Sequence, residues 1–173
     1  MYYEVERLLS EGKQVVITGL NGTGKSTICS KLYSRYNVFR STYYCTIHIS
    51  PILYKSYQLF DRINWVDRFV YQLPDDSSLE LSSRLYVENL PESYLVLLLY
   101  PKFQNLRTED RQFSEEQNKK TALRYLKIAR SIYDTGKLGG LIISYKEGFI
   151  SSEFVPKDLF LRNLNEVENY FKR

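Results

Sequence analysis

The sequence predicts an α/β fold, a mostly parallel sheet wrapped by helices on both faces. Three observations predict it. Val15-Val16-Ile17 is an apolar run of strand length that enters a glycine-rich turn and then a stretch of helical period. Tyr94-Leu-Val-Leu-Leu-Leu99 is apolar without alternation, as expected of a strand covered on both faces. Strand-like and helix-like stretches alternate along the chain, the pattern of a parallel sheet joined by crossover helices. A chain of 173 residues suits one compact domain over 1–173, and 43% hydrophobic residues suffice for its core.

Taken in order, Tyr2 to Glu11 forms a short leading helix with Val5, Leu8 and Leu9 on one side, stopped by Gly12. The first strand and its turn follow, then a helix to about Tyr36 carrying Ile28, Cys29, Leu32, Tyr33 and Tyr36 at helical spacing. Val38 to Ile49 is rich in β-branched and aromatic residues and reads as a second strand, broken by Ser50-Pro51. Tyr57 to Phe60 is a third strand ending at Asp61-Arg62. Val66, Phe69, Val70 and Leu73 stand at i, i+3, i+4 and i+7, a helix closed by Pro74. Ser77-x-x-Glu80 is a capping box opening another helix, which Pro91 ends. Beyond the strand at Tyr94, Pro101 to Phe113 is polar and aperiodic. Ser114-x-x-Gln117 opens a helix with Ala122, Leu126, Ala129 and Tyr133 on one face. Gly139-Gly140 breaks the chain before a last strand at Leu141 to Tyr145, and the final helix carries Phe160, Leu164, Val167 and Phe171.

Composition excludes several classes. The 25% charged residues and the absence of any apolar run near the roughly 20 residues of a spanning helix argue against membrane insertion. Met1 to Arg7 places acidic residues first, unlike a signal peptide, so a cytoplasmic location is expected. Cys29 and Cys45 provide neither a disulfide framework nor a metal spacing, and Cys29 falls on an apolar helix face as a core residue. His48, the single histidine, offers no metal cluster or triad and reads as the polar face of a strand. The net charge of +4 suits a protein that handles phosphates, but no dense basic block marks a nucleic-acid tract. Sixteen tyrosines read as half-buried amphipathic packing.

The chemistry concentrates in Gly19-x-x-x-x-Gly24-Lys25-Ser26. Glycines let a backbone wrap closely enough for its N–H groups to face phosphate oxygens, so Asn21, Gly22, Thr23, Gly24, Lys25, Ser26 and Thr27 are the candidate residues for binding a nucleoside triphosphate, which the resemblance given below makes ATP. Lys25 adds a cation, the Ser26 hydroxyl suits Mg²⁺, and the helix that starts here turns its positive end to the same anion. Asp61 sits at the carboxyl end of a strand, the edge that faces the ligand in a parallel sheet. A carboxylate there can hold Mg²⁺ opposite Ser26. Arg62, Arg107 and Arg111 are candidate catalytic cations, the last two on a lid-like segment around 101–118 that would close over bound nucleotide.

On Gly19 to Thr27, Asp61-Arg62 with the helix ending Tyr71-Gln72, the strand at Tyr94 and the arginine-bearing segment at 107–111, the chain resembles the thymidylate kinase and deoxynucleoside kinase group of P-loop kinases, compact virus-encoded members especially. The resemblance implies a three-layer P-loop NTPase sandwich with a short lid, and transfer of the γ-phosphoryl of ATP, with Mg²⁺, to a nucleotide or nucleoside. It makes Lys25, Asp61, Arg62, Arg107 and Arg111 catalytic, with Ser26 and Asp61 at the metal. Arg62, Trp65, Arg68 and Gln72 become acceptor-binding. Members of that group are often dimers.

Members also usually carry an acidic or Arg/Pro-containing motif soon after the second strand, whereas Asn37 to Ser56 contains no Asp or Glu. The chain also lacks length for a full acceptor-binding insert. A nucleoside acceptor needs a base to take its proton, while an anionic phosphate acceptor needs cations, and Arg40, Lys55, Arg62 and Arg68 supply them. A (deoxy)nucleoside monophosphate such as dTMP is therefore the expected acceptor, with a deoxynucleoside as the alternative. A P-loop ATPase and a polynucleotide kinase are further alternatives. Asn118-Lys119-Lys120-Thr121 lacks the Asp of a guanine reader, and no basic stripe marks a polynucleotide site.

Overall fold

The computed structural model describes residues 1–40, 56–62, 66, 70, 93–100, 114–134, 136, 138–146, 148–153 and 156–173. Along these the order is α1 (Tyr2–Ser10), β1 (Val15–Gly19), α2 (Lys25–Leu32), β2 (Val38–Arg40) and β3 (Leu59–Asp61). Then come β4 (Ser93–Leu98), α3 (Glu115–Asp134), β5 (Leu138–Ser144), β6 (Ile150–Glu153) and α4 (Lys157–Lys172). The six strands form one sheet in the order β2-β3-β1-β4-β5-β6. All neighbours are parallel except β5 and β6, so the α/β class with a mostly parallel sheet holds.

Strand side chains alternate between two buried layers, and the alternation explains the unbroken apolar runs. Val15 and Ile17 of β1 and Tyr94, Val96 and Leu98 of β4 pack with α1 (Val5, Leu8, Leu9) and α2 (Cys29, Leu32). Val16, Leu95 and Leu97 face the other way, onto α3 and onto Phe160, Leu164, Val167 and Phe171 of α4. A strand with helices on both faces has no solvent side, so its apolar residues run without polar alternation. Val66 and Val70 are helical, buried and in this second layer, while Phe69, Leu73 and the Ser77 capping box lie outside the described residues.

The capping box at Ser114 forms as its spacing requires. The Ser114 amide donates to Gln117 Oε1 at 2.7 Å, and the Gln117 amide donates to Ser114 Oγ at 3.2 Å. At the amino edge of the sheet Gln14 joins three strands. Its amide nitrogen donates to the Tyr57 carbonyl at 3.0 Å, and its oxygen accepts from Ser93 Oγ at 2.9 Å.

Four expectations change. Helix α2 stops at Leu32 rather than near Tyr36, because the Arg35 and Tyr36 amides both turn onto the Leu32 carbonyl (3.0 and 3.1 Å) and tighten the chain there. Tyr33, expected on the apolar face, is consequently 64% exposed. Gly139-Gly140 lies inside β5 and does not precede it: Ser93 pairs with Leu138 and Tyr94 with Gly140, so Gly139 is the extra residue of a bulge. Nor is β5 last, since β6 adds an antiparallel edge strand whose Ile-Ser-Ser-Glu offers a single apolar residue to any sequence reading. The tyrosines also divide: Tyr94, Tyr125 and Tyr145 are fully buried, Tyr57 and Tyr133 half-buried, and Tyr3 is 82% exposed. Of the second strand expected to Ile49, Val38–Arg40 is present, and residues 41–49, Cys45 and His48 among them, lie outside the described residues. No helix among the described residues is long and apolar enough to cross a membrane.

Ser131 on α3 is 2% exposed, and its hydroxyl has no hydrogen-bond partner among the described residues. A buried hydroxyl without a partner costs about 1–3 kcal/mol against an apolar group of similar shape. Ser131→Ala is therefore expected to stabilise the protein by about 1 kcal/mol. Urea unfolding should show a higher midpoint at unchanged slope, and a lowered midpoint would show the hydroxyl to be satisfied in solution.

Candidate functional site

The connections place one strand end apart from the others. The chain leaves β1 into α2, which packs through Cys29 and Leu32 on the face of Val15 and Ile17. Its neighbours β3 and β4 are followed by Val66, Val70 and α3, all packed on the opposite face. The carboxyl end of β1 is thus the point where neighbouring connections part to opposite sides, the place where open α/β sheets hold their ligands.

The loop at that point has a geometry only glycine provides. Gly19 has φ 135°, and a Cβ built on it would lie 2.1 Å from the Leu98 carbonyl oxygen of β4. The next amide, Leu20, donates to that same oxygen at 2.9 Å. Gly22 (φ 69°) and Gly24 (φ 88°) supply two further left-handed turns. Gly24, the N-cap of α2, has no side chain to cap it, and the first turn presents backbone amides and the positive end of the helix to the loop.

Side chains brace this loop from within. Lys25 is 4% exposed; its ammonium donates to the Leu20 carbonyl and, at 3.2 Å, to Thr23 Oγ1. Thr23 Oγ1 in turn donates to the Leu20 carbonyl at 2.8 Å. The lysine therefore ties the end of the loop to its start, while Ser26 and Thr27 stand exposed on the first helical turn. Below the loop, the buried Tyr125 hydroxyl donates to the Gly19 carbonyl and accepts from Thr18 Oγ1, each at 3.3 Å. Sequence reasoning missed Tyr125: its spacing from Ala122 and Ala129 marks a core position, and nothing local says that its phenol reaches β1.

Strand β3 brings the carboxylate. Asp61 is 6% exposed, in register with Ile17 of β1 on one side and Arg40 of β2 on the other. Arg40 Nε lies 3.9 Å from Asp61 Oδ2, and Arg40 Nη2 donates to Ser30 Oγ of α2 at 2.7 Å. The buried thiol of Cys29 lies in the field of these charges. Burial, and after it the Asp61 carboxylate, push its thiol up to about 12, against the opposing pull of Arg40 and Lys25. Loop lysine, strand carboxylate and Arg40 all act on one sulfur beneath α2. Arg62 follows Asp61; its amide donates to the Ile17 carbonyl and its Nη2 to Asn21 Oδ1, both at 2.8 Å.

The residues at 21–27, Asp61 and Arg62 are thus brought to one strand end. Trp65, Arg68, Gln72, Arg107 and Arg111, with positions 101–113 of the expected lid, lie outside the described residues; positions 114–118 begin α3. No family model, curated protein or solved structure matches the chain. A functional reading therefore rests on this geometry and on the residues that carry the resemblance.

Two predictions test the site as built. Gly19→Ala should destabilise by about 2–6 kcal/mol, adding backbone strain and overpacking of about 1–3 kcal/mol each. Denaturant titration checks this, and near-wild-type stability would show that β1 and β4 do not meet as described. Cys29 is raised from 9.0 to about 12 on folding. In that window the unfolded chain gives up the thiol proton while the folded chain keeps it, so the stability present below pH 9 is lost as pH rises towards 12. Unfolding of Cys29→Ala should show a shallower alkaline decline, and an identical slope would place the thiol in water.

Proposed function

We propose that the protein is an ATP-dependent phosphotransferase that moves the γ-phosphoryl of ATP to a (deoxy)nucleoside monophosphate such as dTMP. One observation carries the reading: the Gly19–Lys25 loop, at the switch point of a parallel sheet and opening α2 at a glycine N-cap, lies beside a buried carboxylate and an arginine from the adjacent strand. Each part has a role in phosphoryl transfer. The loop amides and the N-terminus of α2 would cradle the phosphates, as helix N-termini favour anions. Lys25 would exchange its contacts with Leu20 and Thr23 for phosphate oxygens, and Arg62 would face the acceptor.

Mg²⁺ suits the donors available. Ser26 and Asp61 offer hard oxygens, and the described residues contain no group of three or more His, Cys, Asp or Glu that would cage an ion by themselves. That donor set matches an ion bound through one or two protein oxygens, the remainder being phosphate and water. When bound, Mg²⁺ would neutralise charge on the phosphates during transfer.

Charge supports an anionic acceptor. Among the described residues Lys25, Arg40 and Arg62 stand at this edge of the sheet with Asp61, a balance suited to an acceptor that is itself anionic. A deoxynucleoside acceptor is the second reading, favoured by the burial of Asp61, which would then serve as base.

The test is ADP release with ATP and Mg²⁺ across the common deoxynucleosides and their monophosphates. Release that depends on a monophosphate is expected. Dependence on a nucleoside instead would favour the second reading, and acceptor-independent release would indicate an ATPase. Lys25→Ala should lower turnover by about 10²–10³-fold, the cost of one donor aimed at developing charge. Asp61→Asn should raise the Mg²⁺ concentration needed for half-maximal rate. Normal metal titration in that variant would exclude Asp61 as a ligand.

A further inference from the structure

Arg62 is the one residue other than glycine among those described whose φ is positive, at 67°. Arginine gains nothing from that conformation, which crowds the Cβ of an L-residue and is otherwise left to Gly, Asn and Asp. Strain of this kind persists only where surrounding contacts over-determine it, and it concentrates at ligand sites. Contacts of both its backbone and its side chain hold it here. The Arg62 amide continues the β3–β1 ladder to the Ile17 carbonyl at 2.8 Å, and the left-handed turn sends the side chain back to Asn21 Oδ1, also at 2.8 Å. Asn21 lies between Gly19 and Gly22, both at positive φ, so the amide that receives the guanidinium is itself set by the loop.

We propose that Asn21 is a positioning residue for Arg62, fixing its guanidinium at the loop so that it receives the phosphate of an anionic acceptor. This rests on the phosphotransferase reading and assigns Asn21 a role distinct from holding ATP. A guanidinium recognises phosphate through a planar fork of donors, so its orientation matters as much as its charge. One N–H given to Asn21 fixes that plane, and ordering the side chain beforehand spares part of the entropy of binding. It also joins the two halves of the site, because a loop reshaped around a triphosphate moves the partner of the acceptor-binding arginine.

A double-mutant cycle tests it. Asn21→Ala, Arg62→Ala and the double variant are titrated calorimetrically with the five common deoxynucleoside monophosphates, and separately with inorganic tripolyphosphate. Asn21→Ala should weaken the tightest-bound monophosphate by about tenfold, one hydrogen-bonding partner's worth. Arg62→Ala should weaken it further, and the double variant should be no weaker than Arg62→Ala, since Asn21 acts through the arginine. Multiplying effects would overturn the proposal, as would a loss in Asn21→Ala confined to tripolyphosphate. If the wild type binds tripolyphosphate but no monophosphate, the acceptor role of Arg62 falls while the loop reading stands. If it binds neither, both fall.

Discussion

Everything at the carboxyl edge depends on the contact of β1 with β4 at Gly19 and Leu98, where two backbones meet at a separation that leaves no room for a Cβ. Because the Leu98 carbonyl takes the Leu20 amide, the chain passes the end of β1 still bound to its neighbour and then turns sharply away. The Tyr125 hydroxyl holds the Gly19 carbonyl from beneath, so the turn is supported on the side where packing is tightest. The loop therefore begins from a fixed point. Its shape is a property of the sheet as much as of its own glycines.

Burial of charge is the second organising fact. Lys25 and Asp61 are 4% and 6% exposed, and charges withdrawn so far from water need compensating partners. Lys25 finds a carbonyl and a hydroxyl within its own loop, while Asp61 has a guanidinium at 3.9 Å. The Lys25 ammonium shares two oxygens of its own loop, and the Arg40–Asp61 pair is a long one.

How much of this was legible differs by element. The first-strand motif and the helix at Ser114 were readable because their signals are local: a buried run, fixed glycine spacing, and a Ser-x-x-Gln whose two ends bond to each other. The double covering of the Tyr94 strand was readable from its lack of alternation. Gly139-Gly140 misled because a glycine pair signals a break equally well in a turn and in a bulge, and only the register with Ser93 and Tyr94 separates the two. Strand β6 left almost no trace because one edge residue in four needs to be apolar. At the site, Asp61-Arg62 was visible as a pair, but its distance from Asn21 along the chain hid their contact. The reach of Tyr125 to Gly19 was hidden in the same way.

That division has a physical origin. A phosphate cradle is made of consecutive backbone amides, so the residues that shape it must be consecutive and their spacing is written in one short stretch. Recognition of a second ligand is made by side chains that meet only when strands are laid side by side, and parallel neighbours are always distant in sequence. The left-handed backbone at Arg62 turns a strand-end arginine from its own strand's direction onto the loop of another. The shape of the loop is thus set by its own short stretch, while the side chains that meet it come from strands distant in sequence.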